Sequence, residues 1–274
     1  MGNKVMEFYD KYGIKEWYRL EESSYSRINY LLHMDFIEKH LKEGMRILDA
    51  GCGAGRYSIE LAKRGCKVTL FDISSEQLRI AKEKIQEAEI EENIEGFIQG
   101  DIRDLSQFKD EEFDMIICYG APLSYVMENR EKAILEFNRV LNKKGLLALS
   151  VNNRWGIIKM VLGSRNYDFF ERPEYWNIEE VIKTGDLREH EMVSQPPRHF
   201  FEGKELEYLL KCNGFKEVFL GGSPCISCGN AEIINDFNTD NRGLETIFKI
   251  ELETYTKPTM VDNGEFLLAK AKKK

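Results

Sequence analysis

The chain has 274 residues, enough for a large core, and a formal net charge of −8. An acidic balance is a poor match to phosphate backbones, so nucleic acid is not the expected partner, although it does not exclude a local basic groove. No apolar run approaches the roughly 18–20 residues that span a bilayer, the first residues show no signal-peptide pattern, and six cysteines in a chain this long do not form a disulfide framework. A cytoplasmic protein with no membrane association is the expectation.

In chain order, residues 1–43 come first. They hold aromatic segments of helical period, Val5–Tyr12 and Glu16–Leu20, and a longer helical pattern from Tyr30 to Leu41. Next, Ile47 and Leu48 lead to Asp49, and glycine then recurs at Gly51, Gly53 and Gly55 before a helix over 57–63. A strand that ends in a glycine turn and feeds a helix binds ligands, because glycine accepts positive φ and lets backbone approach closely. The acid before the turn disfavours phosphate and suits a ligand with a cationic amino group. The dinucleotide pattern G-x-G-x-x-G fails in both registers, at Arg56 and at Ser58.

A second unit follows: strand 67–71 ends at Asp72, then Ile73, a serine cap and a helix whose apolar stripe includes Leu78, Ile80, Ala81 and Ile85. An acid at that strand tip can accept from a ribose diol. A third strand, 96–99, leads into Gly100-Asp101-Ile102-Arg103-Asp104-Leu105. The fourth, 113–119, is almost wholly apolar, as a strand covered on both faces requires. It opens into Gly120-Ala121-Pro122-Leu123-Ser124-Tyr125. A helix over 131–141, a break at 142–145, a fifth strand over 146–151, a helix over 205–212, a sixth strand over 215–220 and a last strand over 265–270 complete the pattern.

Asp49-x-Gly51-x-Gly53-x-Gly55, Asp72, the Gly-Asp-x-x-Asp-Leu segment and the Arg-Val-Leu-Asn-Lys-Lys-Gly-Leu-Leu block resemble class I S-adenosylmethionine-dependent methyltransferases. The resemblance covers residues 44–151 well and 200–220 loosely. It implies a Rossmann-like, doubly wound α/β sheet of seven strands, the last antiparallel and inserted between the fifth and sixth. Residues 1–43 become a helical cap on a methyltransferase domain of 44–274, with 152–200 an inserted substrate lid rich in aromatics, among them Trp155, Tyr167, Phe169, Phe170, Tyr175 and Trp176. The cofactor implied is S-adenosyl-L-methionine. Asp49, Gly51, Cys52, Gly53, Gly55, Asp72, Ile73, Asp101, Ile102 and Tyr119 are expected to bind it. In the cap Tyr9, Tyr18, Tyr25 and Arg27 are candidates to close the pocket, Tyr18 and Arg27 foremost.

Ser124 stands where many small-molecule members carry histidine, which leaves Tyr125 as the polar aromatic at the transfer site. Arg198-His199-Phe200-Phe201 resembles an acceptor-pocket segment, so His199 is the first choice of the four histidines for an acceptor-side role; His33, His40 and His190 read as helix-surface or cap residues. The Cys225-x-x-Cys228 pair has no partner pair, and a zinc site needs four ligands, so no metal is expected. The function implied is direct in-line methyl transfer to a small molecule. RNA or protein acceptors, an NAD-dependent oxidoreductase and a non-catalytic nucleoside sensor are the alternatives.

Overall fold

A computed structural model describes residues 2–164, 178–188, 195–237 and 242–274. Tyr167, Asp168, Phe169, Phe170, Tyr175, Trp176 and His190 lie outside the described residues. The main sheet contains β1 (Arg46–Ala50), β2 (Lys67–Asp72), β3 (Ile94–Gln99), β4 (Phe113–Cys118), β5 (Leu141–Asn152), β8 (Phe215–Ser223) and β9 (Phe266–Lys273). Two short strands, β6 (Asp186–Leu187) and β7 (Arg198–His199), pair as a separate antiparallel ribbon. The main order is β3-β2-β1-β4-β5-β9-β8. Only β9 runs against the others, paired antiparallel with β5 and with β8, as the resemblance implied. The order reverses between β1 and β4, and open α/β sheets bind ligands beyond the carboxyl ends of the strands at such a reversal.

Both faces of the sheet are covered. On one, Leu48, Ile116, Leu147 and Leu267 pack against helices α7 (Arg130–Val140) and α10 (Gly203–Cys212) through Phe137, Val140, Leu206 and Leu210. On the other, Ile47, Leu70, Met115 and Ala148 meet α3 (Ser24–Glu38), α4 (Arg56–Lys63) and α5 (Ser75–Glu87). This two-sided burial explains why β1 and β4 lack polar alternation. A third cluster joins Tyr25, Leu32 and Phe36 of α3 to Leu244, Ile247 and Phe248 of α12 (Arg242–Thr254), a helix the sequence reading did not assign.

Some boundaries differ from expectation. β5 begins at Leu141 instead of 146: Leu141 pairs with Phe113, the next pair is Leu146 with Met115, and residues 142–145 bulge out with Lys144 at φ 67°. The long cap helix begins at Ser24, where Ser23 accepts from the Ser26 amide and so caps it. Before it stand α1 (Gly2–Tyr12) and α2 (Lys15–Arg19). α1 is tied to the second β-α unit: Gln77 Nε2 donates to the Tyr9 and Gly13 carbonyls at 3.0 Å each, and Ser74 Oγ donates to Asp10 at 2.5 Å. Among the described residues no helix is long and apolar enough to cross a membrane.

Candidate active site

The chain leaves β1 at Ala50 and turns sharply. Gly51, Gly53 and Gly55 all take positive φ, at 84°, 51° and 81°. The Gly51 and Cys52 amides both donate to the Phe71 carbonyl, at 2.7 and 3.1 Å, which ties the turn to the end of β2. A Cβ on Gly51 would lie 2.3 Å from Pro122 Cγ, so this position excludes any side chain. Gly55 is the left-handed N-cap of α4 and packs on Ala81 and Leu70.

A cleft opens beside this turn. Of the residues singled out in the sequence, Gly51, Gly53, Asp72, Ile73, Asp101, Ile102, Tyr119 and Tyr125 all line it. Val5, Tyr9 and Glu16 from the cap, together with Arg103, Gly120, Pro122 and Val126, also line it. Asp72 sits at the tip of β2, its carboxylate accepting from the Gly53 and Ser74 amides at 2.8 Å each. Burial pushes its carboxyl up to about 6, against those two amides, and Glu16 and Asp10 push the same way. A carboxylate has about four acceptor sites, so Asp72 keeps capacity for ligand hydroxyls. Asp101 is gripped by the Arg103 side chain and amide. Burial opposes its charge, but Arg103 outweighs it and holds the carboxyl below its usual range.

Other expected residues lie elsewhere. Asp49 is 1% exposed and does not line the cleft. It accepts from Ser58 Oγ at 2.6 Å, and burial, with Asp72 nearby, pushes it up to about 7 despite that bond. It braces the glycine turn against α4. Cys52 is buried beneath the turn, its thiol on the Gly53 carbonyl. Tyr18 is 55% exposed on the outer face of α2, and Arg27 is exposed on α3. His199 is also apart from the cleft. At 1% exposure, its Nδ1 meets Asp186 at 2.6 Å and its Nε2 meets Glu205 at 2.7 Å, so neither nitrogen is open to an acceptor molecule. Arg154 joins this network through Glu202 and Glu205. Cys225 and Cys228 are buried free thiols. Among the described residues no group of side chains could hold a metal ion.

Sequence reasoning missed Arg19. Its guanidinium pairs with Glu16 at 2.6 Å and comes within 3.6 Å of where a Cβ on Gly120 would lie. Across the cleft, Tyr9 Oη donates to Tyr125 Oη at 3.2 Å, and Arg198 Nη1 lies 3.5 Å from the same Tyr125 hydroxyl. His33, expected at a helix surface, is buried edge-on against Tyr119 at 4.9 Å. Burial lowers its imidazole to about 4.

The arrangement fits a molecule with an adenosyl group: a carboxylate at the second strand tip, an acid after the third, a bare-backbone turn beside them at the end of β1, and apolar side chains such as Ile73, Ile102 and Val126. The chain matches the methyltransferase domain family over residues 41–212, more than half its length, and belongs to that family: it is an S-adenosylmethionine-dependent methyltransferase with S-adenosylmethionine as its cofactor. It is 29% identical to the uncharacterized protein MJ1252 of Methanocaldococcus jannaschii, over 80% of this chain and 79% of that one. It is 30% identical to demethylmenaquinone methyltransferase of Staphylococcus carnosus, over 70% and 78%. The fold is similar to that of a Thermotoga maritima S-adenosylmethionine-dependent methyltransferase described as a possible histamine N-methyltransferase, with TM-score 0.58 and 19% identity over 98% and 100% of the chains. Relatives matched over about half of their own length are named for acceptors as different as tRNA, in Escherichia coli (48%), and ribosomal protein L11, in Thermotoga maritima (50%).

Proposed function

We propose that the protein methylates a small molecule by in-line displacement. The observation that carries this reading is the roof over the cleft. Tyr9 and Tyr125 meet hydroxyl to hydroxyl, and α1 is bolted down through Gln77 and Ser74. A compact acceptor fits beneath such a roof, whereas a base in a folded RNA or a side chain on a protein needs an open mouth.

Bound S-adenosylmethionine supplies a methyl group already activated on a sulfonium. The chain's part is to hold, align and dry the reactants, which can supply much of the barrier reduction. Gly51 and Gly53 leave room along the turn. Asp72 would hold ribose hydroxyls, and Asp101 with the Ile102 amide would meet the adenine edge. Arg19, Tyr119 and Gly120 sit on the side where β4 ends, toward the acceptor. Tyr125 closes that side and excludes water. With both nitrogens of His199 engaged, its role is to fasten the β6–β7 ribbon to α10 as a positioning residue. The six free thiols suit a reducing, cytoplasmic compartment.

Calorimetry with S-adenosylhomocysteine and with NADH, followed by a screen of small acceptors against tRNA and protein extracts, tests the reading. Saturable S-adenosylhomocysteine binding and turnover of small molecules are expected. Turnover confined to tRNA or to proteins would overturn it.

A further inference from the structure

Asp101 and Arg103 both line the cleft, and the way they pair limits what the carboxylate can bind. Their segment is fixed to the neighbouring strand tip. The Gly100 amide donates to the Asp72 carbonyl at 2.9 Å, and a Cβ on Gly100 would lie 2.5 Å from Phe71 Cζ. The Asp104 amide donates back to the Asp101 carbonyl at 2.8 Å, which closes a turn and brings Arg103 over the Asp101 side chain. There the Arg103 amide and Nε both donate to Asp101 Oδ1, at 2.9 and 2.8 Å, and Nη2 donates to Oδ2. A carboxylate has about four acceptor sites. Among the described residues these three donors fill both sites on Oδ1 and one on Oδ2, so the open site is the second one on Oδ2.

The clamp also fixes the charge. The Asp101 and Arg103 side chains are only 27% and 23% exposed, so salt and water screen the pair less than they would on an open surface. Burial raises the Asp101 carboxyl, but the hydrogen bonds and charge of Arg103, with the more distant Lys132 of α7, hold it below its usual range. An ionised carboxylate only accepts hydrogen bonds. The open site on Oδ2 therefore welcomes a donor and repels a carbonyl oxygen. β2 and β3 are neighbours in the sheet, roughly 5 Å apart, so Asp72 and Asp101 can address a ribose and the base attached to it at the same time.

We infer that Arg103 is a positioning residue that sets the base specificity of the donor site: by clamping Asp101 it makes the cleft prefer adenine to hypoxanthine. The inference rests on the reading above that Asp101 meets the edge of the base. The exocyclic amino group of adenine donates to the open site on Oδ2. Hypoxanthine carries a carbonyl oxygen in its place, and two acceptors then face each other. Replacing the Arg103 side chain removes two of the three donors to Asp101, those from Nε and Nη2. The carboxylate is then free to rotate, and burial is left less opposed, so the carboxyl binds a proton at a higher pH. A protonated carboxyl can donate to the hypoxanthine oxygen. Selectivity thus depends on the clamp twice, through direction and through charge.

The test is calorimetry of the full chain with S-adenosylhomocysteine and with S-inosylhomocysteine, read as the ratio of the two dissociation constants. Neither ligand is a methyl acceptor, so the result does not depend on the acceptor's class. Wild type should prefer the adenine ligand by about 30-fold. That ratio should stay flat from about pH 5 to about pH 7.5, because Asp101 is charged throughout. Burial pushes Asp72 up to about 6, but Asp72 serves both ligands alike and cancels in the ratio. Arg103→Gln should cut the ratio at least about fivefold, and further as the pH falls; the Ile102 amide, left in place, keeps the remainder. Arg103→Lys keeps the charge without the planar fork, so it should restore the flat pH profile and only part of the ratio. Melting curves establish folding, and if Arg103→Gln does not fold, Arg103→Lys carries the test through its lowered ratio. A wild-type ratio in the folded variant, or an affinity loss equal for both ligands, overturns the inference and leaves the Asp101 reading standing. Equal binding of the two ligands by wild type removes both.

Discussion

The two halves of the sheet edge are built differently. At β1–β3 the cleft wall comes from short contiguous segments: the glycine turn, Asp72-Ile73 and Asp101-Ile102. Each follows its strand directly, and each is fixed by local hydrogen bonds such as Gly53 and Ser74 to Asp72. Beyond β4 the surroundings are assembled from distant segments: Tyr125 lines the cleft and meets Tyr9 of α1 and Arg198 of β7, residues that come together only after folding. A wall made of short contiguous segments and one made of scattered residues can change independently, and one fold can host many chemistries on such terms.

The largest effects should follow from breaking the contiguous half. Gly51→Val places a Cβ 2.3 Å from Pro122 Cγ at a φ of 84°, and the turn cannot yield without releasing its two bonds to Phe71. Donor affinity by calorimetry should fall at least about 100-fold, the equivalent of about 2.7 kcal/mol. Asp72→Asn should come next, at about tenfold or more. It also has a pH signature. The charged carboxylate is the better acceptor for hydroxyls, and burial raises its pKa to about 6. Wild-type affinity for S-adenosylhomocysteine should therefore climb as pH rises through about 6 and level off above 7. The Asn variant should lose that rise; an unchanged rise would place the titrating group elsewhere.

The contrast also explains what could be read in advance. The strand order, the inserted antiparallel β9 and the segments that line the cleft beside β1–β3 were legible because they rest on period, glycine and acids at fixed offsets. Two of the expected side chains point away from the β4 side of the cleft, and in each case the neighbouring residue approaches it. In α2 the expected Tyr18 faces solvent and its neighbour Arg19 faces Gly120: successive helical residues diverge by about 100°, and a five-residue helix has too little stripe to set the phase. In β7 the expected His199 points to Asp186 and Glu205 while its neighbour Arg198 reaches Tyr125, because strand side chains alternate. Asp49 was legible as part of the turn, but not its partner Ser58, which lies one turn into the following helix. Tyr25 and Glu265 are 240 residues apart, and no local pattern joins them.

His199→Ala should sharpen the distinction between holding the acceptor wall and forming the site. The ring is fully enclosed and bridges two carboxylates, so its loss leaves Asp186 and Glu205 short of a donor. About 1–3 kcal/mol of stability should go in denaturant titration. S-adenosylhomocysteine affinity should stay within twofold of wild type, roughly 0.4 kcal/mol, because the donor wall does not touch this network.

The smallest effect separates neighbours in one helix. Tyr18→Ala removes a side chain that is 55% exposed, and surface changes of this kind usually stay within about 0.5 kcal/mol. Arg27→Ala on α3 should behave alike, in melting and in donor binding. Arg19→Gln, one position from Tyr18, breaks the 2.6 Å pair with Glu16 beside Gly120. It should weaken ligand binding several-fold, about 1 kcal/mol, with a melting temperature close to that of Tyr18→Ala. If Tyr18→Ala weakened binding and Arg19→Gln did not, α2 would have to be rotated by one residue, and the roof would close over the cleft through a different face.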